Sequence, residues 1–146
     1  MNALEQRLTN LFTDNQLRMT APRMAVFRVL ANAEDALPLA DIASAIKGDR
    51  ATIYRTLDLF ISLGVVQRVV TGFKHRYELA APFHSHHHHI HCEVCDKVIS
   101  FDSRSLEALI QRIAEQKGVH LHTHTLELAG CCDDCQNRGN IDKIKH

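Results

Sequence analysis

His84-Ser85-His86-His87-His88-His89-Ile90-His91-Cys92-Glu93-Val94-Cys95 holds six of the chain's eleven histidines and the first of two Cys-x-x-Cys pairs. The second pair stands at Cys132-Asp133-Asp134-Cys135. Four thiolates in two such pairs suit tetrahedral zinc at Zn–S distances of about 2.3 Å, because each pair makes a tight turn that offers two sulfurs to one ion. The interval from Cys95 to Cys132 exceeds the roughly 15–20 residues usual between the pairs of a zinc ribbon. Such an ion would join the two ends of a domain rather than build a local finger. Cys131 points away from Cys132 if that segment is extended, and stays outside the set.

Around the pairs, the second half alternates between strand and helix patterns. From His86 to Cys92 a period of two places His87, His89 and His91 on one side of a strand and His86, His88 and Ile90 on the other. Val98 to Phe101 reads as the partner strand. Ser103 or Ser105 caps a helix with Leu106, Leu109, Ile110 and Ile113 as its buried stripe, ending near Lys117-Gly118. Val119 to Leu128 alternates again, which puts His120, His122 and His124 on one face. Imidazoles act as a metal site only if ligands converge from separate segments, and Glu107 with His122 or His124 can do so. Imidazole plus carboxylate suits zinc, iron, manganese or nickel. Because imidazole must be neutral to coordinate, occupancy should fall as pH drops through about 6.5.

The first half carries no histidine before His75 and reads differently. Leu4, Leu8, Leu11 and Phe12 fall on one helical face, ending near Asp14-Asn15. Thr20-Ala21-Pro22-Arg23 offers an N-cap and a first-turn proline to a second helix with Met24, Val26, Phe27 and Leu30. A third helix is read over 37–46, stopped by Lys47-Gly48, and a fourth from about Asp49 to Gly64 with Ile53, Leu57, Phe60 and Ile61 inward. Val65 to Val70 and His75 to Leu79 follow as two strands turned through Thr71-Gly72. This is the order of a winged helix-turn-helix, whose last helix enters the major groove. Its polar face holds Asp49, Arg50, Thr52, Tyr54, Arg55, Thr56 and Asp58. Arg50 and Arg55 can bind guanine or phosphate, Thr52 and Tyr54 phosphate or a thymine methyl. Arg23, together with Arg68 and Lys74 on the wing, adds cations for the backbone.

At 146 residues and 45% hydrophobic content, the chain can fold as two small domains. No apolar run is long enough to span a bilayer and Met1 to Arg7 lacks a signal-peptide core, so a cytoplasmic protein with reduced cysteines and no membrane partner is expected. Net charge is zero. Split at residue 82, however, the first part carries 10 basic against 8 acidic residues and the second 7 against 9.

Thr52-Ile53-Tyr54-Arg55-Thr56-Leu57, the His-rich strand running into Cys92-x-x-Cys95-Asp96-Lys97-Val98-Ile99, and Gly130-Cys131-Cys132-x-x-Cys135 together resemble the ferric uptake regulator family of bacterial metal-dependent repressors. The resemblance implies an α+β chain: a winged-helix DNA-binding domain over 1–80, a hinge at 81–85, an α/β metal-binding dimerisation domain over 86–138, and a polar tail at 139–146. It implies a homodimer on double-stranded DNA with an inverted-repeat operator. The structural zinc falls on Cys92, Cys95, Cys132 and Cys135. A regulatory Zn2+ or Fe2+ falls on His86, His88, Glu107 and His124. A hinge site is matched by Glu78, His87 and His89, with His84 able to complete it, since the family's further histidine falls at Ala36 and its further carboxylate at Ser100. Thr52 to Val69 resembles the zinc-uptake subgroup, which implies a zinc signal. Iron and peroxide sensing are the alternatives within the family.

Outside it, a zinc hydrolase or deaminase would need His-x-Glu with Pro-Cys-x-x-Cys, or His-Glu-x-x-His, and neither occurs. A metal-storage module would leave the helix-turn-helix unused. The expectation is therefore a non-enzymatic, metal-responsive repressor.

Overall fold

The computed structural model describes residues 1–71 and 74–139 and divides them into two compact units, Met1–Ser85 and the part from His86 onward. The first unit contains α1 (Ala3–Asp14), α2 (Ala21–Ala31), β1 (Leu37–Pro38), α3 (Leu39–Ile46), α4 (Arg50–Ser62), β2 (Val66–Thr71) and β3 (Lys74–Leu79). Its core follows the apolar spacing of the helices. Leu8 and Phe12 from α1, Val26, Phe27 and Leu30 from α2, Ile42 from α3, and Ile53, Leu57 and Phe60 from α4 close on one another and on Val65, Val66, Tyr77 and Leu79. Phe12 meets Phe60 edge to face with centroids 5.9 Å apart, the aromatic geometry favoured by ring quadrupoles.

Local caps set the helix limits. Asn2 and Glu5 form a reciprocal capping box on α1. Asp49 caps α4 by accepting from the Thr52 amide at 2.9 Å. Thr20 occupies the N-cap position of α2, but its side chain makes no capping bond. Gly64, at φ +69°, turns the chain out of α4 in a left-handed conformation that L side chains rarely adopt.

Part of the third helix read from sequence is strand. Leu37 and Pro38 pair with Tyr77 and Arg76, giving a three-stranded sheet in the order β1-β3-β2, and α3 begins only at Leu39. Proline at an edge tolerates this, since it need not donate to the ladder. The stop falls at Lys47-Gly48 as expected, with Lys47 itself taking the left-handed conformation at φ 54°. The expected turn at Thr71-Gly72 lies outside the described residues. Phe83, in the segment read as a hinge, packs into the first unit's core against Phe27, and the Ala81–Pro82 peptide bond is cis.

The second unit contains β4 (His88–Cys92), β5 (Val98–Phe101), α5 (Arg104–Gln116), β6 (Glu127–Gly130) and α6 (Asp133–Asn137). β4 is central, antiparallel to β5 and parallel to β6, in register from His89 opposite Glu127 to Cys92 opposite Gly130. The second unit departs from the sequence expectation at two places. The chain from 119 to 126 forms no strand: β4, the neighbour of β6, begins only at His88, and no strand among the described residues pairs with this segment. The apolar stripe of α5 is not buried: Leu109 is 48% and Ile113 49% exposed. No helix among the described residues is long and apolar enough to cross a membrane.

Candidate metal centres and nucleic-acid interface

Parallel pairing of β4 with β6 brings the two cysteine pairs together. Cys92 ends β4, the turn after it closes by Asp96 N–H donating to Cys92 O at 2.8 Å, and Cys132 caps α6 one turn before Cys135. Glu93 N–H donates to Gly130 O at 2.9 Å, locking the two knuckles side by side. The four Sγ atoms all lie within 4.8 Å of one another, with Cys95 and Cys132 sulfurs 3.7 Å apart. A tetrahedron with metal–sulfur distances of about 2.3 Å has edges of about 3.8 Å, so these residues fit zinc. Burial opposes ionisation of Cys92, but amide donors from Cys132, Cys95 and Val94 outweigh it and bring the thiol down to about 6. Burial and the surrounding thiols push Cys135 up. Cys131 lies beside this cluster without joining it, its thiol raised by burial and by the charges of Cys92 and Cys132.

A second focus forms at the opposite end of β4, around its first residue. Glu107 stands in the first turn of α5, held there by the Ser103 cap, and its Oε1 lies 2.6 Å from His88 Nε2 and 3.4 Å from His86 Nε2. Oε2 lies 3.3 Å from His124 Nε2, and the His86 and His124 Nε2 atoms are 3.1 Å apart. Metal–nitrogen bonds of about 2.0–2.1 Å give tetrahedral edges of about 3.3 Å, close to most of these separations. His88 is buried, its side chain 2% exposed, and its hydrogen bond is the main cause holding the Glu107 carboxyl below its usual range; burial opposes this and the neighbouring imidazoles add to it. The helix N-terminus also favours an anion at that position. Of the two candidates on the last segment, His124 is the one that converges. His122 instead packs edge to face against His120, centroids 5.1 Å apart.

The residues read as a hinge set fall in both units. Glu78, buried on β3, accepts from Gln67 Nε2 at 2.6 Å. His87 and His89 pack edge to face at 4.8 Å, and His84 Nδ1 meets Ser85 O at 2.9 Å. Ala36 is buried in the first unit, and Ser100 stands opposite His89 across β4 and β5.

On α4, Arg50, Thr52, Tyr54 and Arg55 are all exposed. The Thr52 hydroxyl bonds to the Asp49 carboxylate at 3.0 Å, and Arg55 Nε donates to Ala51 O at 3.2 Å. Arg23 lies over the Phe12 ring at 5.6 Å and donates to Arg18 O. With Thr20, Thr52, Arg55 and Thr56 it lines a hollow between α2 and α4. Lys74 is exposed at the start of β3. Two polar residues have other duties: Asp49 caps α4, its carboxyl lowered chiefly by the Thr52 amide, and Arg68 is engaged by Asp58 at 2.9 Å.

The family model for ferric uptake regulators matches residues 14–129. The chain belongs to the ferric uptake regulator family. It is 36% identical over 134 residues to the ferric uptake regulation protein of Neisseria meningitidis, covering 86% of this chain and 91% of that protein. The ferric uptake regulator of Helicobacter pylori, described as having three functional metal-binding sites, superposes with a TM-score of 0.82 at 25% identity over 92% of each chain. A zinc-bound manganese uptake regulator superposes at 0.69 with 32% identity, covering 90% of this chain and 99% of its own. Family membership makes the chain a metal-responsive regulator with a DNA-binding winged-helix unit, and its cysteine cluster and its cluster of His86, His88, Glu107 and His124 can each hold metal.

Proposed function

We propose that the chain is a homodimeric repressor of metal-uptake genes whose signal is a zinc ion taken up by His86, His88, Glu107 and His124. The observation that carries this reading is the convergence of three imidazoles and one carboxylate, from three separate segments, at tetrahedral spacing. A divalent cation there supplies charge neutralisation and a crosslink. The chain's own part is to tie the start of β4, the first turn of α5 and the segment before β6 to one point. Ordering α5 presents Leu109 and Ile113, exposed in the single chain, as an apolar face for a second copy. In such a dimer the two α4 helices would address half-sites of an inverted repeat about one helical turn apart. Turning the population from mostly inactive to mostly active takes about 5.5 kcal/mol of differential binding, within the range of such a site. The Cys92, Cys95, Cys132 and Cys135 zinc is structural, and its thiols suit a reducing cytoplasm.

Iron is the second reading, favoured by the iron-uptake regulators among the relatives. Operator binding by chelated protein titrated separately with zinc and, anaerobically, with ferrous iron tests both. Zinc should restore binding at the lower free concentration; equal affinity with and without any metal would sink the proposal.

A further inference from the structure

Arg68 stands on β2 directly opposite Tyr77 of β3. Directly opposed residues of an antiparallel pair share one face of the sheet, so the guanidinium and the phenol lie together. Arg68 Nη2 reaches across to Asp58 Oδ1 on α4 at 2.9 Å. Asp58 is one helical turn beyond Tyr54 and three residues beyond Arg55, on the face read as contacting DNA. Tyr77 is 4% exposed, and burial pushes its hydroxyl's pKa up. Arg68 is near enough to oppose that rise, and Tyr54 and Asp58 near enough to add to it. Side chains from the helix and both strands thus meet at one polar junction.

As a stabilising ion pair this junction is weak, since the Arg68 and Asp58 side chains are 41% and 47% exposed. Its placement gives it other consequences. An unpaired Asp58 carboxylate would repel the phosphates that Arg55 and Tyr54 address, and the only tie from that part of α4 to β2 among the hydrogen bonds of the described side chains is Arg68. A wing cation free to grip phosphate would not be drawn back to the helix.

Building on the DNA-binding reading, we infer that Arg68 and Asp58 form a brace that sets the recognition helix against the wing and masks the Asp58 charge, so that operator affinity depends on the pair although neither residue touches DNA. They are positioning residues, and a direct phosphate contact by Arg68 is the competing reading.

The test uses full-length, metal-loaded protein and a fluorescein-labelled duplex carrying the inverted repeat that wild type enriches from a random-sequence pool. Anisotropy over a range of salt compares Arg68→Ala, Asp58→Ala, the double variant and the charge swap Arg68→Asp with Asp58→Arg. The brace requires each single change to weaken binding by roughly tenfold, the double change to be no worse, and the swap to recover most of the loss. It also requires the dependence of log K on log salt to keep its slope. A phosphate contact would instead lower the slope by about one on Arg68→Ala and leave Asp58→Ala neutral or tighter. That pattern, additive losses, or a swap no better than the singles overturns the brace. Failure of wild type to enrich any duplex would sink the repressor reading and the brace with it.

Discussion

Replacing Glu107 by Gln isolates the charge at the imidazole focus. Gln keeps the volume and an acceptor oxygen but removes the anion that lies 2.6 Å from His88, 3.4 Å from His86 and 3.3 Å from His124. Four-ligand zinc sites are worth about 10–16 kcal/mol. Shared over four donors this is about 3 kcal/mol per ligand, or on the order of 100-fold in Kd. Glu107 is partly exposed and the Ser103 cap is untouched, so α5 should persist. The assay is a zinc titration against a competing chelator, with native mass spectrometry counting ions and operator anisotropy followed as a function of free zinc. The expected result is a midpoint about two decades higher in free zinc, with the cysteine-held ion retained and operator affinity restored at saturation. An unchanged midpoint would show that the carboxylate is not a ligand and that the signal enters elsewhere.

Cys132→Ser should release the structural ion and raise amide exchange along β4 and β6, whose pairing ends at Cys92 and Gly130, while α1 to α4 keep their protection; equal exchange in wild type and Cys132→Ser would refute a stapling role. Glu5 is held below the usual carboxylate range chiefly by its hydrogen bond from Arg28 at 2.6 Å. Its stabilising contribution is therefore present above the unfolded value of about 4.3 and lost as pH falls through the lower folded one. Urea midpoints of wild type and Glu5→Gln should differ most near neutrality and converge in acid; a gap that widens in acid refutes this. Leu109→Glu with Ile113→Glu should yield a folded monomer by light scattering, because both side chains are exposed in the single chain. A persistent dimer would place the interface elsewhere.

Much of this protein was legible in local chemistry. Apolar spacing at the helical period marked α1, α2, α4 and α5 to within a residue or two, because one face of each must be apolar whatever it packs against. The Cys-x-x-Cys pairs and the Gly64 and Gly118 stops are likewise short-range: each is set by what a turn of a few residues permits. Long-range pairing was not legible. Leu37-Pro38 reads as a helix start until β3 supplies a strand to pair with, and 119–126 alternates like a strand although no strand among the described residues pairs with it. An apolar stripe also cannot say whether its cover lies in the same chain, so the pattern of α5 predicts burial while no residue of the helix is buried in the single chain. Between His122 and His124 periodicity is indifferent, since both lie on one face of an extended segment. The placement of Glu107 against β4 is what selected His124. Arg68 looked like a free wing cation until Asp58, ten residues earlier in sequence, was folded to within 2.9 Å of it. Composition and spacing thus determined which donors exist and which elements carry them; only the packing of helix on sheet decided which of those donors share a point in space, because that depends on contacts between residues no local period relates.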